Sequence, residues 1–127
     1  MSNFNLTKIL ISTSLLTCSL LWMTVNYAQE STEQFIPIGM SPGISNKYSY
    51  IGNIVSIDPA KKSFTVQSNR GIETITVTLL TRFWIDRSKL KQTNLEASFS
   101  DCEIGKKVEV MHERDDDHVA DWVKIEG

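Results

Sequence analysis

The chain has 127 residues, of which 41% are hydrophobic and 22% are charged, and its mean hydropathy is −0.15. This composition excludes a disordered chain, a collagen-like chain, a multi-span membrane protein and a disulfide scaffold. The formal net charge is −2. Because nucleic-acid binding requires a basic surface, we expect no nucleic-acid partner.

The first 28 residues form an apolar segment with a single charge, Lys8. Ser and Thr are the only polar residues between Ile9 and Val25, and a small residue, Ala28, follows. This order is typical of a secretory signal peptide, so we predict cleavage of residues 1–28 and a periplasmic or secreted protein. The apolar run is also close to the length of a membrane-spanning helix. An uncleaved inner-membrane anchor is therefore the alternative, and only in that case do we expect membrane contact.

Two cysteines are present, Cys18 and Cys102. Cleavage after Ala28 removes Cys18, so the mature chain cannot form an intramolecular disulfide. We expect Cys102 to be buried as a small apolar residue. Cys18 follows a sequence that looks like a lipoprotein processing box, but Thr17 is too bulky for the position before the cysteine, and we do not expect lipidation.

Residues 29–49 are predicted to be a linker or an arm that docks on the following domain. Pro37 and Pro42 stand among polar residues without sustained periodicity, which is typical of a linker. Apolar residues such as Phe35 are more frequent in this segment than in a free linker, which favours docking. Residues 50–127 are predicted to form the folded domain.

Apolar and polar residues alternate from Tyr50 onward, as half-buried β-strands require. Turn signals separate the runs at Asp58-Pro59 and at Asn69-Arg70-Gly71. The predicted strands are 50–58, 62–68, 72–80, 107–113 and 119–126, with a short helical stretch in 86–95. Residues 81–85 either continue the third strand past a bend or form a short fourth strand. The fold class is therefore all-β, a small five- to six-stranded OB-like barrel with one short helical insertion.

Two strands carry specific expectations about which side chains face inward. In the third strand Ile75, Val77 and Leu79 share one parity, so we expect all three on one face. In the last strand Ala120, Val123 and Ile125 can all face inward only if a β-bulge lies at Asp121-Trp122.

The order of these signals resembles exported bacterial single-domain OB-like β-barrel families of unknown function. The resemblance covers residues 50–126 and is carried by GNIVSID at Gly52–Asp58, IGKKVEV at Ile104–Val110 and ADWVKI at Ala120–Ile125. These motifs build a barrel, so the resemblance implies a fold and no activity.

The layout is also distantly similar to that of CusF-like periplasmic copper chaperones, in which Met, His and Trp side chains on the barrel strands hold Cu(I). The corresponding residues here, 74–84, contain neither Met nor His, and only Trp84 matches. The resemblance therefore does not extend to the copper ligands.

Three aromatic residues, Trp84, Trp122 and Tyr50, are the candidate ligand-binding residues. OB-like barrels use exposed aromatic side chains on one face to stack sugars or bases. The sequence predicts no basic groove, so we do not expect these aromatic residues to bind a nucleic acid. A sugar or a peptide is still a candidate ligand. The alternative is structural, with Phe83 and Trp84 filling the barrel and Trp122 covering its end.

The most polar stretch, residues 111–118, contains the candidate metal ligands His112, Asp115, Asp117 and His118. Imidazole and carboxylate groups can converge on a divalent cation, but this spacing matches no standard zinc or calcium motif. The alternative is a solvated loop, and we expect no cofactor apart from this divalent metal candidate.

The sequence contains no nucleophile elbow, phosphate-binding glycine loop or HExxH motif, so we predict that the protein is not an enzyme. The predicted function is a non-catalytic exported binding or interaction module of the bacterial envelope, whose partner is an envelope protein or a small ligand. One alternative is a periplasmic metal-handling accessory protein that uses the His112–His118 loop. The other is a membrane-tethered structural partner of an envelope complex.

Overall fold

The computed structural model describes residues 33–41 and 47–127. The predicted signal peptide or anchor, residues 1–28, lies outside the described residues. Among the residues that are described, no helix has the length and apolar character needed to cross a membrane. The strands are β1 Ser49–Asp58, β2 Ser63–Ser68, β3 Gly71–Thr76, β4 Arg82–Asp86, β5 Leu95–Ala97, β6 Lys107–His112 and β7 Ala120–Glu126.

The seven strands form one sheet in the order β3-β2-β1-β6-β7-β4-β5. Neighbouring strands are antiparallel except β4 and β7, which run parallel. At the end of β3, Thr76 forms a parallel bridge to Val119, just before β7, and its N–H donates to the His118 carbonyl at 2.7 Å. This bridge joins β3 to the far side of the sheet and confirms the predicted all-β, OB-like barrel.

The barrel interior is filled by apolar side chains of one parity on each strand. One row runs directly across four strands, from Tyr50 through Val110 and Val123 to Phe83. The row beyond it contains Val108 and Ile125, and all of these residues belong to the buried core. Cys102 is also buried, as predicted. The other principal members of the core are Ile54, Phe64, Val66, Ile75, Val77 and Ala120.

In the first two hairpins, the turns lie at the turn residues that the sequence predicts. Asp58 Oδ1 accepts hydrogen bonds from the N–H groups of Ala60 and Lys61, at 3.1 and 3.2 Å, which closes the β1–β2 turn. The β2–β3 turn ends at Gly71, whose φ of +111° favours glycine.

The third strand is shorter than predicted. It ends at Thr76 because the next residues form a turn in which the Thr78 N–H donates to Thr81 Oγ1 at 2.9 Å and the Leu80 N–H donates to Thr78 Oγ1 at 3.1 Å. Leu79 is therefore fully exposed, and the prediction that it faces inward with Ile75 is wrong. This break divides the predicted run into β3 and β4.

The predicted bulge in the last strand is present. Met111 pairs with Trp122 and His112 pairs with Ala120, so Asp121 is the extra residue. Ala120, Val123 and Ile125 are consequently all buried in the core. The predicted helical insertion is a single 3-10 turn, Ser88–Leu90, and a second one covers Phe99–Asp101.

Candidate functional site

A group of polar and aromatic side chains lies on the outer face of the barrel. Strand register places Trp84, Lys124 and Glu109 side by side on β4, β7 and β6. Their chain neighbours Phe83, Val123 and Val110 face the core, so these three point outward. On the same face, Asp86 lies two residues after Trp84 on β4, and Trp122 lies two residues before Lys124 on β7. We call these five residues the outer patch.

All five residues of the outer patch are buried, although they point away from the core. Lys124 is 0% exposed and Glu109 is 4% exposed, whereas Lys and Glu are almost never fully buried unless they are paired. Trp84 and Trp122 are each 6% exposed. Another part of the chain must therefore cover this face.

The covering segment is residues 34–41, which we call the arm. Its centre is a β-turn in which the Met40 N–H donates to the Pro37 carbonyl at 3.1 Å. Gly39 is the third residue of this turn and has φ of +80°, as a type II turn requires. The Ile38 N–H donates to Oδ2 of Asp86 and the Gly39 N–H donates to Oε2 of Glu109, both at 2.9 Å. Each carboxylate of the outer patch thus accepts a backbone hydrogen bond from the turn.

Two further contacts hold the arm on either side of the turn. Lys124 Nζ donates to Ser41 Oγ at 3.1 Å. Asn94 Nδ2 donates to the Ile36 carbonyl at 3.2 Å. The partners of these contacts lie far apart along the chain, so the arm docks through long-range polar contacts with the barrel.

Neighbouring groups in the outer patch stabilise the charged forms of Lys124 and Asp86. The Lys124 ammonium lies 4.5 Å from the centroid of the Trp122 ring, within cation–π range, and the Trp84 and Trp122 rings are 6.2 Å apart. Burial of Asp86 opposes ionisation, but hydrogen bonds from Ile38 and Ser88 and the positive charge of Lys124 outweigh it. The pKa of Asp86 is therefore lowered.

A cavity of about 330 Å³ lies beside the outer patch, between the arm, β1 and the β2–β3 turn. Small-molecule sites usually measure about 300–1,000 Å³, so this cavity has room for a small ligand. It is lined mainly by polar residues, and Glu109 belongs to both the cavity and the outer patch. The other main lining residues are Ser41, Ser49, Tyr50, Asn69 and Arg70.

The structure brings together two of the three predicted ligand-binding aromatic residues, Trp84 and Trp122. Tyr50 lies in the core row instead, with the Arg70 guanidinium 5.6 Å from its ring centroid. Its hydroxyl is buried, and none of the residues that the structure describes forms a hydrogen bond with it. Burial, with a further contribution from Glu73, raises the pKa of Tyr50 above its usual value. Trp84 does not fill the barrel, in contrast to the structural alternative, whereas Phe83 does.

The predicted metal ligands are not brought together. His112 is buried, with Nδ1 2.6 Å from the Glu113 carbonyl oxygen and Nε2 3.1 Å from the Lys47 carbonyl oxygen. His118 is exposed, and its Nε2 lies 3.4 Å from Oδ1 of the exposed Asp117. Asp115 is exposed in the same loop. Within residues 33–41 and 47–127, no three His, Cys, Asp or Glu side chains are placed to hold a metal ion. The metal-handling alternative therefore stays a prediction.

Sequence reasoning did not identify Lys124, Glu109 and Asp86 as site residues. Lys124 and Glu109 each lie on a strand between two inward-facing apolar residues, and Asp86 ends β4, and a charged residue at such a position is usually exposed to solvent. The available signal was the apolar character of the arm, which favoured docking somewhere on the barrel.

Comparison with known proteins adds one distant likeness. No family model matches the chain, and no curated protein matches it. A crystal structure of Ag(I)CusF is similar over 61% of this chain and 93% of the CusF chain, with 16% sequence identity and a TM-score of 0.42.

Proposed function

We propose that this protein is a non-catalytic binding module and that the outer patch is its binding surface. The observation that carries the proposal is the burial of Lys124, Glu109 and Asp86 outside the core, beneath a segment that contacts them mainly through its backbone. Buried charges are costly unless they are paired or hydrogen-bonded, and apolar residues of similar volume often stabilise a fold equally well. A role in recognition accounts for their presence.

The chemistry of the outer patch suits binding. Two carboxylates accept hydrogen bonds, one ammonium group donates them, and two indole rings provide flat apolar surfaces. All five side chains lie on adjacent strands of one sheet, so the barrel holds them in fixed relative positions. A rigid arrangement of this kind lowers the entropy lost on binding a ligand.

We extend the proposal to the bacterial envelope. Its support is the apolar segment of residues 1–28, which has the charge and length of a secretory signal peptide. A partner in that compartment is an envelope protein or a small ligand. Mass analysis of the chain isolated from the envelope distinguishes a cleaved product from an anchored one.

A thermal-shift screen tests the proposed function. The full chain is screened against peptides, oligosaccharides and small polar metabolites, and hits are repeated with Lys124→Met and Trp122→Leu. We expect at least one hit that raises the Tm of the wild type and has no effect on these two variants. The matched control is Lys61→Met, because Lys61 is exposed and lies outside the outer patch. Hits that stabilise all four proteins equally would contradict the proposal.

A further inference from the structure

We infer that the outer patch recognises a peptide turn from a partner protein and that the arm is an internal competitor for the same surface. This inference rests on the proposed function and specifies its ligand class. It starts from the occupant that the structure shows, because the arm binds through groups that any peptide carries. Its main contacts are two backbone N–H groups, one carbonyl and one hydroxyl.

The geometry selects a turn and excludes an extended strand. In a β-strand successive N–H groups point to opposite sides, so two neighbouring donors cannot both reach one surface. Here the N–H groups of Ile38 and Gly39, which are adjacent in sequence, reach two carboxylates on different strands of the same outer face. The turn around Gly39 makes this possible.

The contacts also define which ligand residues matter. Glycine is favoured at the third turn position because φ is +80° there, and a Cβ at this position would lie 3.4 Å from Cδ1 of Ile51. A hydroxyl two residues later meets Lys124, as Ser41 does. Phe35 and Met40 are 60% and 69% exposed, so their positions tolerate other side chains. The predicted ligand is a turn with the pattern x-x-Gly-x-Ser, in which x is any residue.

The arm is suited to be displaced. Two apolar side chains of the arm, Phe35 and Met40, stay exposed, and hydrogen bonds hold its turn on the barrel, so docking does not rest on apolar burial alone. An intramolecular segment nevertheless competes at an effective concentration in the millimolar range. A peptide added to the wild type should therefore bind weakly, and opening the arm should strengthen its binding.

The experiment uses the full chain and a fluorescein-labelled peptide of residues 34–41, QFIPIGMS, with polarisation as the readout. Gly39→Val opens the arm, since a β-branched residue is strained at this positive φ. Ile38→Pro is a second opening variant, which lacks the N–H that Asp86 accepts. We expect both to bind the peptide at least about tenfold tighter than the wild type, because the internal competitor is gone.

Three controls accompany the measurement. Met40→Val alters an exposed turn residue and should behave as the wild type. A peptide with Val in place of Gly39 should not bind the opened variants. Adding Lys124→Met to Gly39→Val should weaken binding, because the Ser41 hydroxyl of the peptide then loses the hydrogen bond from Lys124 Nζ.

The inference is overturned if both opening variants keep the β-sheet circular dichroism of the wild type and bind the native peptide no better than the Val-containing one. If an oligosaccharide or metabolite then binds the opened chain and loses affinity with Lys124→Met, the proposed function stands and only the ligand class is wrong. If nothing binds in a Lys124-dependent way, both proposals fail.

Discussion

The backbone N–H of Ile38 donates a 2.9 Å hydrogen bond to Oδ2 of Asp86, a residue 48 positions further along the chain. The other carboxylate oxygen, Oδ1, accepts the N–H of Ser88 at 2.8 Å, at the start of the 3-10 turn after β4. One side chain thus links the arm to a structural element of the barrel, and its charge state controls both contacts.

We expect the arm to detach from the barrel in acid. Burial raises the pKa of Asp86, but the hydrogen bond from the Ile38 N–H of the arm, together with Ser88 and Lys124 of the barrel, lowers it below its ordinary value of 3.8, so the arm contact favours the ionised carboxylate. This contribution is fully present above pH 3.8 and is lost as the pH falls through the lowered pKa. In a chain carrying Trp22→Phe, the fluorescence of Trp84 and Trp122 should change over that acidic range. Asp86→Asn should abolish the transition, and its persistence in that variant would assign it to another group.

Cys102 should be unreactive in the native protein. It is buried, and burial together with the nearby Asp101 raises the pKa of its thiol to about 12, so almost no thiolate is present at neutral pH. A chain carrying Cys18→Ser should react with a thiol reagent only after denaturation in guanidinium chloride. Rapid labelling of the native chain would show that the thiol is accessible.

Gly52→Ala should destabilise the barrel severely. A Cβ at this position would lie 2.7 Å from Val66 Cγ1 and 2.8 Å from the carbonyl carbon of Gln67, and the backbone of β2 cannot move away cheaply. We expect a loss of about 3 kcal/mol in the free energy of unfolding, measured by urea denaturation. Gly71→Ala is the control, because nothing lies near its Cβ and only its positive φ is strained, which costs about 1–2 kcal/mol. Equal losses in the two variants would contradict the steric argument.

Local sequence patterns predicted most of the strands because alternation and turn residues act over a few positions. Asp58 ends β1 and Gly71 begins β3 at the expected turns, and the parity of the last strand revealed the bulge at Asp121. The alternation gave a wrong prediction at Leu79, because it continues past Thr76, where β3 ends. Hydrogen bonds between Thr78 and Thr81 form a turn there, and such local side-chain bonds compete with a strand.

The candidate site was only partly predictable. Trp84 and Trp122 stood out as aromatic residues, but the charged residues of the outer patch resembled ordinary solvent-facing positions. Lys124 donates a hydrogen bond to Ser41 of the arm, which lies 83 residues away from it along the chain. No local pattern contains such a contact, so the arm and the outer patch could be matched only in the folded structure.

Lys124 provides the sharpest distinction between a role in folding and a role in recognition. Lys124→Met keeps the volume of the side chain and leaves no cavity, so it should lower the free energy of unfolding by less than Lys124→Ala does, although the buried Glu109 and Asp86 lose the neighbouring ammonium group in both variants. Lys124→Ala leaves a cavity and should cost about 2 kcal/mol or more.

Urea denaturation followed by circular dichroism measures both losses, and limited proteolysis of the arm measures docking. Both variants should expose the arm to protease, because each removes the donor to Ser41. Lys61→Met, at an exposed position, should change neither measurement. If Lys124→Met destabilises the barrel as much as Lys124→Ala does, the ammonium group is needed for folding. The burial of its charge would then no longer support a binding surface.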